Sequence, residues 1–247
     1  WVFDVKANNI GYFDFYYQED GIWKKRETGT KLPFSTKQIN DTGVAFFLKF
    51  GNTSQQTYYF RCQAKVGLII PPRVQRYEKF NDYSRMKNLY YGGYFGILLV
   101  MILYNLFIYL TLRDKNYLYY VFTIITTLGL FSSITSYNYM LFWRETPMLN
   151  TLSARVFTSL IIITTAIFTI HFLQLKKYSR FLYNWMLLNI VLAILAAILE
   201  LITPWKALTS NLISIHIVTM ITSGIVTWWK GNSLGKYYLF AWLFYAL

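Results

Sequence analysis

The stretch Leu103–Tyr120, LYNLFIYLTLRDKNYLYY, decides the fold. It is apolar up to Leu112, is interrupted by Arg113, Asp114 and Lys115, and then becomes apolar again at once. A soluble core helix could end in this way, and so could a membrane span that reaches the cytoplasm. The rest of the chain decides between these two interpretations.

The distribution of charge along the chain favours the membrane interpretation. Of 247 residues, 55% are hydrophobic and only 14% are charged, whereas a soluble domain averages about 25% charged residues. Residues 1–88 contain 14 Lys and Arg and 8 Asp and Glu, but residues 89–247 contain only 10 and 3. So few charges could not cover the surface of a soluble domain. We therefore predict two domains, residues 1–86 and 87–247, of which the second lies in a membrane.

Apolar runs of membrane-spanning length account for most of the second domain. A span needs about 20 mostly apolar residues, and five complete runs of this kind are followed by one that the end of the chain interrupts. The predicted spans cover residues 89–112, 117–137, 151–175, 181–202, 210–229 and 237–247. Because the chain starts with Trp1 and ends at Leu247 inside an apolar run, we expect a fragment of a longer protein.

The short loops between the spans indicate the orientation, since cytoplasmic loops carry the excess of Lys and Arg. The loops after the first, third and fifth spans contain seven such residues, whereas those after the second and fourth contain only Arg144 and Lys206. We therefore predict that residues 1–86 lie outside the membrane on the extracytoplasmic side. The turn at Arg113 then lies at the cytoplasmic surface.

The first domain shows short apolar or alternating runs separated by turn residues, which is typical of β-strands. Tyr58 and Phe60 alternate with Tyr59 and Arg61, so the two pairs should face opposite sides of a sheet. The fold class that we predict here is an all-β sandwich, jelly-roll-like and incomplete at its N-terminus. The predicted strands cover residues 11–17, 44–50, 57–65 and 66–74.

The segment Gly96–Asp114, GILLVMILYNLFIYLTLRD, with the YLYYVF at 117–122, resembles bacterial seven-transmembrane receptors with diverse intracellular signalling modules. GNSLGKYYLFAWL at 231–243 is similar to that family's entry into its sixth span. TGTKLPFSTKQI at 28–39 and TYYFRCQA at 57–64 are similar to its extracellular jelly-roll domain. The positions that match the family's first-span motif are Gly96, Met101, Tyr104, Asn105, Leu106, Arg113 and Asp114.

The resemblance implies a sensory receptor in the bacterial inner membrane. Its extracytoplasmic domain would bind a small-molecule or carbohydrate ligand, and its bundle would pass a conformational change to a cytoplasmic effector. In the family that effector is a histidine kinase, a diguanylate cyclase, an adenylate cyclase or a phosphatase, and here it is missing together with the seventh span. The lipid bilayer is a further expected partner, and a homodimer stays open.

The matching residues of the first span would have structural or signalling roles. These are Tyr104, Asn105, Arg113 and Asp114. Asn105 lies inside the hydrocarbon, where an Asn side chain needs a partner, which we expect on a neighbouring helix. The alternative to such a packing hydrogen bond is a contact with a ligand.

Three polar residues near the outer ends of the spans are candidate ligand-binding residues, because ionisable groups inside a membrane are often functional. Arg155 begins the third span, Glu200 ends the fourth, and His216 lies about 9 Å into the fifth at 1.5 Å per residue. We expect them to line a polar cavity that opens outward, in which Arg155 and Glu200 could pair. The alternatives are snorkelling of Arg155 to headgroups, a purely structural role for Glu200, and a hydrogen bond of His216 within the bundle.

Exposed aromatic residues of the β domain are the other candidates, since an aromatic ring with polar neighbours can stack on a sugar. We select Trp23 and Tyr59 from a set that also includes Tyr16, Tyr17 and Tyr58. The alternative is that these rings face the core, as half of the residues of a strand do.

The sequence contains no enzymatic signature such as GxSxG, HExxH or a P-loop. We predict no catalytic residue and no cofactor for this chain. We also predict no metal, because the two histidines, His171 and His216, lie at different depths. A nucleic-acid partner is not expected, since most basic residues of the second domain lie between apolar runs. The alternative to a receptor is a transporter or channel. Such proteins place polar residues near mid-bilayer and use broken helices. Here only Asn189 and a few hydroxyl groups lie near mid-span, and Gly or Pro breaks are nearly absent from the spans.

Overall fold

The computed structural model describes residues 1–7, 10–19, 21–48, 56–63, 71–202 and 208–246. It divides into two compact units. Unit 1 contains Trp1–Phe95 and Phe131–Ala154, and unit 2 contains Gly96–Leu130 and Arg155–Leu247. The described β-strands all belong to unit 1, whereas unit 2 is helical.

In the described residues of unit 1, six strands form two antiparallel sheets. They are β1 (Val2–Val5), β2 (Tyr12–Glu19), β3 (Ile22–Thr28), β4 (Val44–Phe47), β5 (Tyr59–Gln63) and β6 (Pro72–Gln75). One sheet has the strand order β4-β1-β6, and the other has the order β3-β2-β5. A short 3-10 helix, Phe34–Thr36, lies between β3 and β4.

An aromatic core lies between the two sheets. Phe3 of β1 and Phe46 of β4 pack with Phe13 and Phe15 of β2, and the rings of Phe15 and Phe46 stack with their centroids 4.6 Å apart. Burial of each such side chain contributes about 1.5–3 kcal/mol. Two sheets packed around one apolar layer form a β-sandwich, so the predicted fold class is confirmed.

Three of the predicted strands, residues 11–17, 44–50 and 57–65, correspond to β2, β4 and β5. The predicted alternation in β5 is confirmed, because Phe60 packs against Phe3 while Tyr59 is 59% exposed. Residues 49–50, 64–65 and 66–70 of the predicted strands lie outside the described residues. The described end of the fourth predicted strand is β6, which is an edge strand among the described strands, and an edge strand tolerates a proline such as Pro72.

Eight helices are described. They are α1 (Tyr77–Leu112), α2 (Lys115–Ile134), α3 (Tyr137–Leu141), α4 (Pro147–Phe172), α5 (Leu175–Tyr178), α6 (Arg180–Ile202), α7 (Leu208–Trp229) and α8 (Leu234–Ala246). Within the described part of the chain, five segments are long and apolar enough to cross a membrane: α1, α2, α4, α6 and Asn211–Trp229 of α7. The first five predicted spans thus correspond to helices. Helix α1 begins at Tyr77, so the predicted domain boundary at residues 86–87 falls inside it.

The interruption at Arg113 is a tight turn between two helices. Helix α1 ends at Leu112, and Arg113 adopts a left-handed conformation with φ of 57°, while its N–H donates to the Tyr109 carbonyl over 2.8 Å. Asp114 Oδ1 then accepts a hydrogen bond of 2.9 Å from the N–H of Asn116, in the first turn of α2. Two residues therefore reverse the chain, as a short loop between antiparallel spans requires.

The orientation of the spans can be tested by labelling single cysteines with a membrane-impermeant maleimide in a Cys62→Ser background. We expect Glu27→Cys, on exposed strand β3, to react in intact cells. Lys177→Cys should react only after the membrane is permeabilised, because the Lys and Arg bias places its loop in the cytoplasm. Labelling of Lys177→Cys in intact cells without labelling of Glu27→Cys would contradict the predicted orientation.

Candidate functional site

Two of the predicted ligand-binding residues, Trp23 and Tyr59, lie next to each other on the β domain. Their ring centroids are 5.3 Å apart, and the residues are 49% and 59% exposed. Trp23 comes from β3 and Tyr59 from β5, on either side of the central strand β2. The register places Tyr16 opposite both Tyr59 and Lys25, so the same sheet face carries aromatic rings and a cation.

The loop after β3 docks against the segment between α2 and α4, within unit 1. Phe34 is only 2% exposed, and its ring meets that of Tyr139 edge-on with centroids 5.1 Å apart. The Phe34 N–H donates to the Arg144 carbonyl over 2.6 Å, and the Arg144 guanidinium lies 4.8 Å from the Phe34 ring centroid. The Tyr139 hydroxyl donates to the Leu32 carbonyl. This first contact joins the β domain to the helical part of unit 1.

A second contact joins the loop before β4 to the start of α1. Lys87 Nζ lies 2.7 Å and 2.8 Å from the two carboxylate oxygens of Asp41 and also donates to Thr42 Oγ1. Ser84 Oγ donates to Asp41 Oδ2 over 2.5 Å, and the Gly43 N–H donates to Oδ1. Asp41 is 6% exposed, so this is a buried ion pair whose charges are satisfied by hydrogen bonds.

The electrostatics of the second contact favour the ionised carboxylate. Burial acts to raise the pKa of Asp41. The positive charge of Lys87, together with the hydrogen bonds from Lys87, Ser84 and the Gly43 N–H, outweighs burial and holds the pKa below its ordinary value of 3.8. Asp41 is therefore negatively charged at neutral pH.

Lys37 links the two contacts. Its Nζ donates to the carbonyl oxygens of Asp41, Thr42 and Gly43 over 2.8–2.9 Å and lies 4.9 Å from the centroid of the Phe34 ring. Burial lowers the pKa of Lys37 to about 7, although the nearby Asp41 charge acts in the opposite direction. The 3-10 helix and the loop before β4 are thus fixed to each other by one side chain.

The predicted intramembrane site residues in unit 2 fall into two places. Arg155 Nη1 donates to the backbone carbonyl of Glu200 over 3.3 Å. The Glu200 carboxylate accepts hydrogen bonds from the N–H and the hydroxyl of Thr209, in the first turn of α7, where the helix dipole favours an anion. Arg155 therefore meets the backbone of Glu200 rather than its carboxylate, which corrects the expected side-chain pair.

His216 belongs to α7, and it contacts α4 at some distance from Arg155. It is 2% exposed, and its Nε2 lies 2.9 Å from Thr165 Oγ1. Thr165 follows Arg155 by ten residues, which is about 15 Å of helix. The contact with Thr165 agrees with the alternative of a hydrogen bond within the bundle. A ligand-binding role for Arg155, Glu200 or His216 stays a prediction.

Two family models match the chain. The model described as "7TM diverse intracellular signalling" matches residues 87–247, and the model described as "7TMR-DISM extracellular 2" matches residues 1–76. The chain belongs to the 7TMR-DISM receptor family. No curated protein matches the chain significantly, and no solved structure does.

Membership of the 7TMR-DISM family confirms the resemblance to this receptor family, while a bacterial source stays a prediction. The chain is a multi-pass transmembrane signalling receptor with an extracellular β domain. The family is one of sensory receptors rather than of enzymes. As a separate observation, the described residues contain no group of three or more His, Cys, Asp and Glu side chains that could hold a metal ion.

The first-span residues of the receptor have different environments. Asn105 is 9% exposed, and its Nδ2 donates to the Met101 carbonyl over 2.8 Å, so this amide donor is satisfied within α1 itself rather than by a neighbouring helix. Tyr104 is 63% exposed. Arg113 and Asp114 form the turn that connects α1 and α2.

Sequence reasoning missed the receptor's two contacts inside unit 1. Asp41 was recognisable only as part of a turn, and Phe34 only as part of the LPFS segment. One signal was available, since Lys87 is a cation next to the first long apolar run of the chain. A lysine at that place needs water, headgroups or a carboxylate, and Asp41 is the carboxylate that the fold supplies.

Proposed function

We propose that this receptor binds a carbohydrate on the outer face of the sheet β3-β2-β5 and passes a conformational change to its helices and on to a cytoplasmic effector, in a bacterial cell membrane. The observation that carries the proposal is the pair of neighbouring exposed rings, Trp23 and Tyr59. Sugars present apolar C–H faces on which such rings stack.

Polar groups around the two rings support a sugar rather than a purely apolar ligand. Gln18 lies opposite Trp23 in the register of β2 and β3, and Lys25 lies opposite Tyr16. Directly opposed residues of an antiparallel pair share one sheet face. The rings are thus flanked by an amide and an ammonium group, which can bond to hydroxyl groups at the ring edge.

The strand that carries Trp23 also supplies the route to the helices. Strand β3 ends at Thr28, and the Thr28 hydroxyl accepts a hydrogen bond of 3.4 Å from Thr36 Oγ1. Thr36 belongs to the same 3-10 helix as Phe34, which is buried against Tyr139. A shift of β3 on ligand binding would therefore reach the segment before α4. A ligand that binds one arrangement of this contact better than another shifts the population towards it.

The carbohydrate can be sought by glycan-array binding of the purified chain in lipid nanodiscs. We expect binding of at least one glycan. Trp23→Ala should lower the affinity for it about tenfold or more, because stacking contributes roughly 0.5–1.5 kcal/mol beyond the apolar area that the ring buries, and about 1.4 kcal/mol corresponds to tenfold in affinity. The matched control is Trp1→Ala, a 52% exposed tryptophan of the same domain outside this sheet, which should bind normally.

A second measurement tests the proposed route from the sheet to the helices. Hydrogen–deuterium exchange with the captured glycan should change in the segment 137–145 as well as in β3. Equal binding by Trp23→Ala and the parent chain would contradict the sugar site. Binding without any change in the segment 137–145 would contradict the proposed route.

A further inference from the structure

A polar cavity of about 160 Å³ lies within unit 1, away from the sheet face that carries Trp23. It is partly open to solvent and is bordered by strand β1, the loop before β4, the start of β4 and the N-terminal part of α1. Its lining includes Asp4, Lys6, Asp41, Tyr83 and Lys87. It is therefore next to the second contact between the β domain and α1.

Asp4 supplies a buried acceptor to this cavity. It is 4% exposed, and Gln75 Nε2 donates to its Oδ1 over 3.0 Å. Within the described part of the chain no donor contacts the other carboxylate oxygen, Oδ2. Arg73 and Lys6 attract the carboxylate without forming an ion pair with it, and burial raises its pKa above 3.8. A carboxylate oxygen that lines a cavity and has no donor from the described residues favours a bound group that supplies one.

Lys6 supplies the opposite charge. Its Nζ lies 3.3 Å from the centroid of the Tyr83 ring, and it forms no hydrogen bond or ion pair with any residue that the structure describes. Lys6 directly follows strand β1, two residues after Asp4, and both residues line the cavity. The cavity thus has an available anion and an available cation, whereas the charges of Asp41 and Lys87 neutralise each other.

We propose that this cavity binds a small zwitterion, a free α-amino acid with a short side chain, whose ammonium group donates to Asp4 and whose carboxylate pairs with Lys6. The lining has two acidic and two basic side chains, so a ligand without net charge but with separated charges matches it. A cavity of about 150 Å³ holds a molecule of the size of benzene, and glycine, alanine and serine are of similar or smaller size. The site is independent of the proposed sugar site and does not require it.

Isothermal titration calorimetry of the purified 247-residue chain in nanodiscs tests the proposal by measuring the affinity of small ligands. The probes are glycine, L-alanine and L-serine, and the comparison compounds are acetate, ethylamine and glycerol at equal concentrations. We expect at least one amino acid to bind with a Kd below about 1 mM and the comparison compounds to bind about tenfold or more weakly, since each provides only part of the charge pattern.

The variants locate the binding. Asp4→Asn keeps an acceptor for Gln75 but removes the charge, and it should weaken amino-acid binding about tenfold or more; Lys6→Gln is a second variant with a more exposed side chain and should do the same. Asp14→Asn, on the outer face of β2, is the matched control and should bind normally. The absence of amino-acid binding up to about 10 mM, equal binding by both variants, or equal binding of ethylamine or glycerol would overturn the proposal. Because the glycan experiment uses another ligand and another variant, failure of either site leaves the other to be judged separately.

Discussion

Replacement of Asp41 with alanine is expected to lower the free energy of unfolding of unit 1 by about 3 kcal/mol, since removing one partner of a buried ion pair leaves the other charge uncompensated. Lys87 loses both carboxylate oxygens, at 2.7 Å and 2.8 Å, and Ser84 loses its acceptor. Urea titration followed by hydrogen exchange of the strands β1 and β4 measures the loss.

Two further variants separate the ion pair from a general effect of removing a carboxylate. Asp14→Ala breaks a more exposed pair with Lys25, whose atoms are 3.2 Å apart, and should cost only about 0.2–1 kcal/mol. Adding Lys87→Met to Asp41→Ala should restore part of the stability, because the buried positive charge is then gone. Equal losses for Asp41→Ala and Asp14→Ala would show that the buried pair contributes little.

The same stabilisation should depend on pH in a defined direction. Because the pKa of Asp41 is held below 3.8 in the folded chain, the unfolded chain takes up this proton first as the pH falls. The contribution of Asp41 is therefore fully present above pH 3.8 and is lost as the pH falls through the lower, folded value. The stability difference between the parent chain and Asp41→Ala should shrink over that range.

The membrane helices could be predicted from the sequence because their signal is local. A long run of apolar residues has few folded alternatives to a span, and each of the five complete runs corresponds to a helix. The strands were harder to predict. Strand β3 reads IWKKRET and is exposed at every position but the last, so it lacks the alternation that revealed β5. Strand β1 has four residues, all buried, and such a short apolar run carries no period.

The candidate sites could be predicted only where single residues carried the chemistry. Trp23 and Tyr59 were selected as exposed rings, and pairing of β3 and β5 with β2 brought them together. Asp41 and Lys87 are 46 residues apart, so their pairing depends on tertiary structure that no local pattern contains. The same holds for Glu200, which could be identified as an intramembrane acid but not as the partner of Thr209 at the start of α7.

Replacement of Gly235 with leucine is expected to separate α8 from α7 and to destabilise their packing by about 3 kcal/mol, the upper part of the usual range for overpacking. A Cβ at position 235 would lie 2.7 Å from the Gly224 carbonyl oxygen and 2.8 Å from the Trp228 nitrogen. Both of these are backbone atoms, so no side-chain rotation relieves the clash. Close approach of two helices at small residues is a common basis of helix association in membranes.

The loss of packing should appear as faster hydrogen exchange in α8 while exchange in α6 stays slow, measured in nanodiscs. Gly93→Leu is the matched control, because among the described residues no atom outside its chain neighbours and the adjacent backbone of α1 lies within 4 Å of its added Cβ. That control also exchanges a glycine for a better helix former, which favours the helix by roughly 0.8–1 kcal/mol, so a general effect of leucine on helices would be stabilising. Unchanged exchange in α8 of Gly235→Leu would mean that α8 can move aside without cost, and the backbone contact between Gly224 and Gly235 would then not be what holds the two helices together.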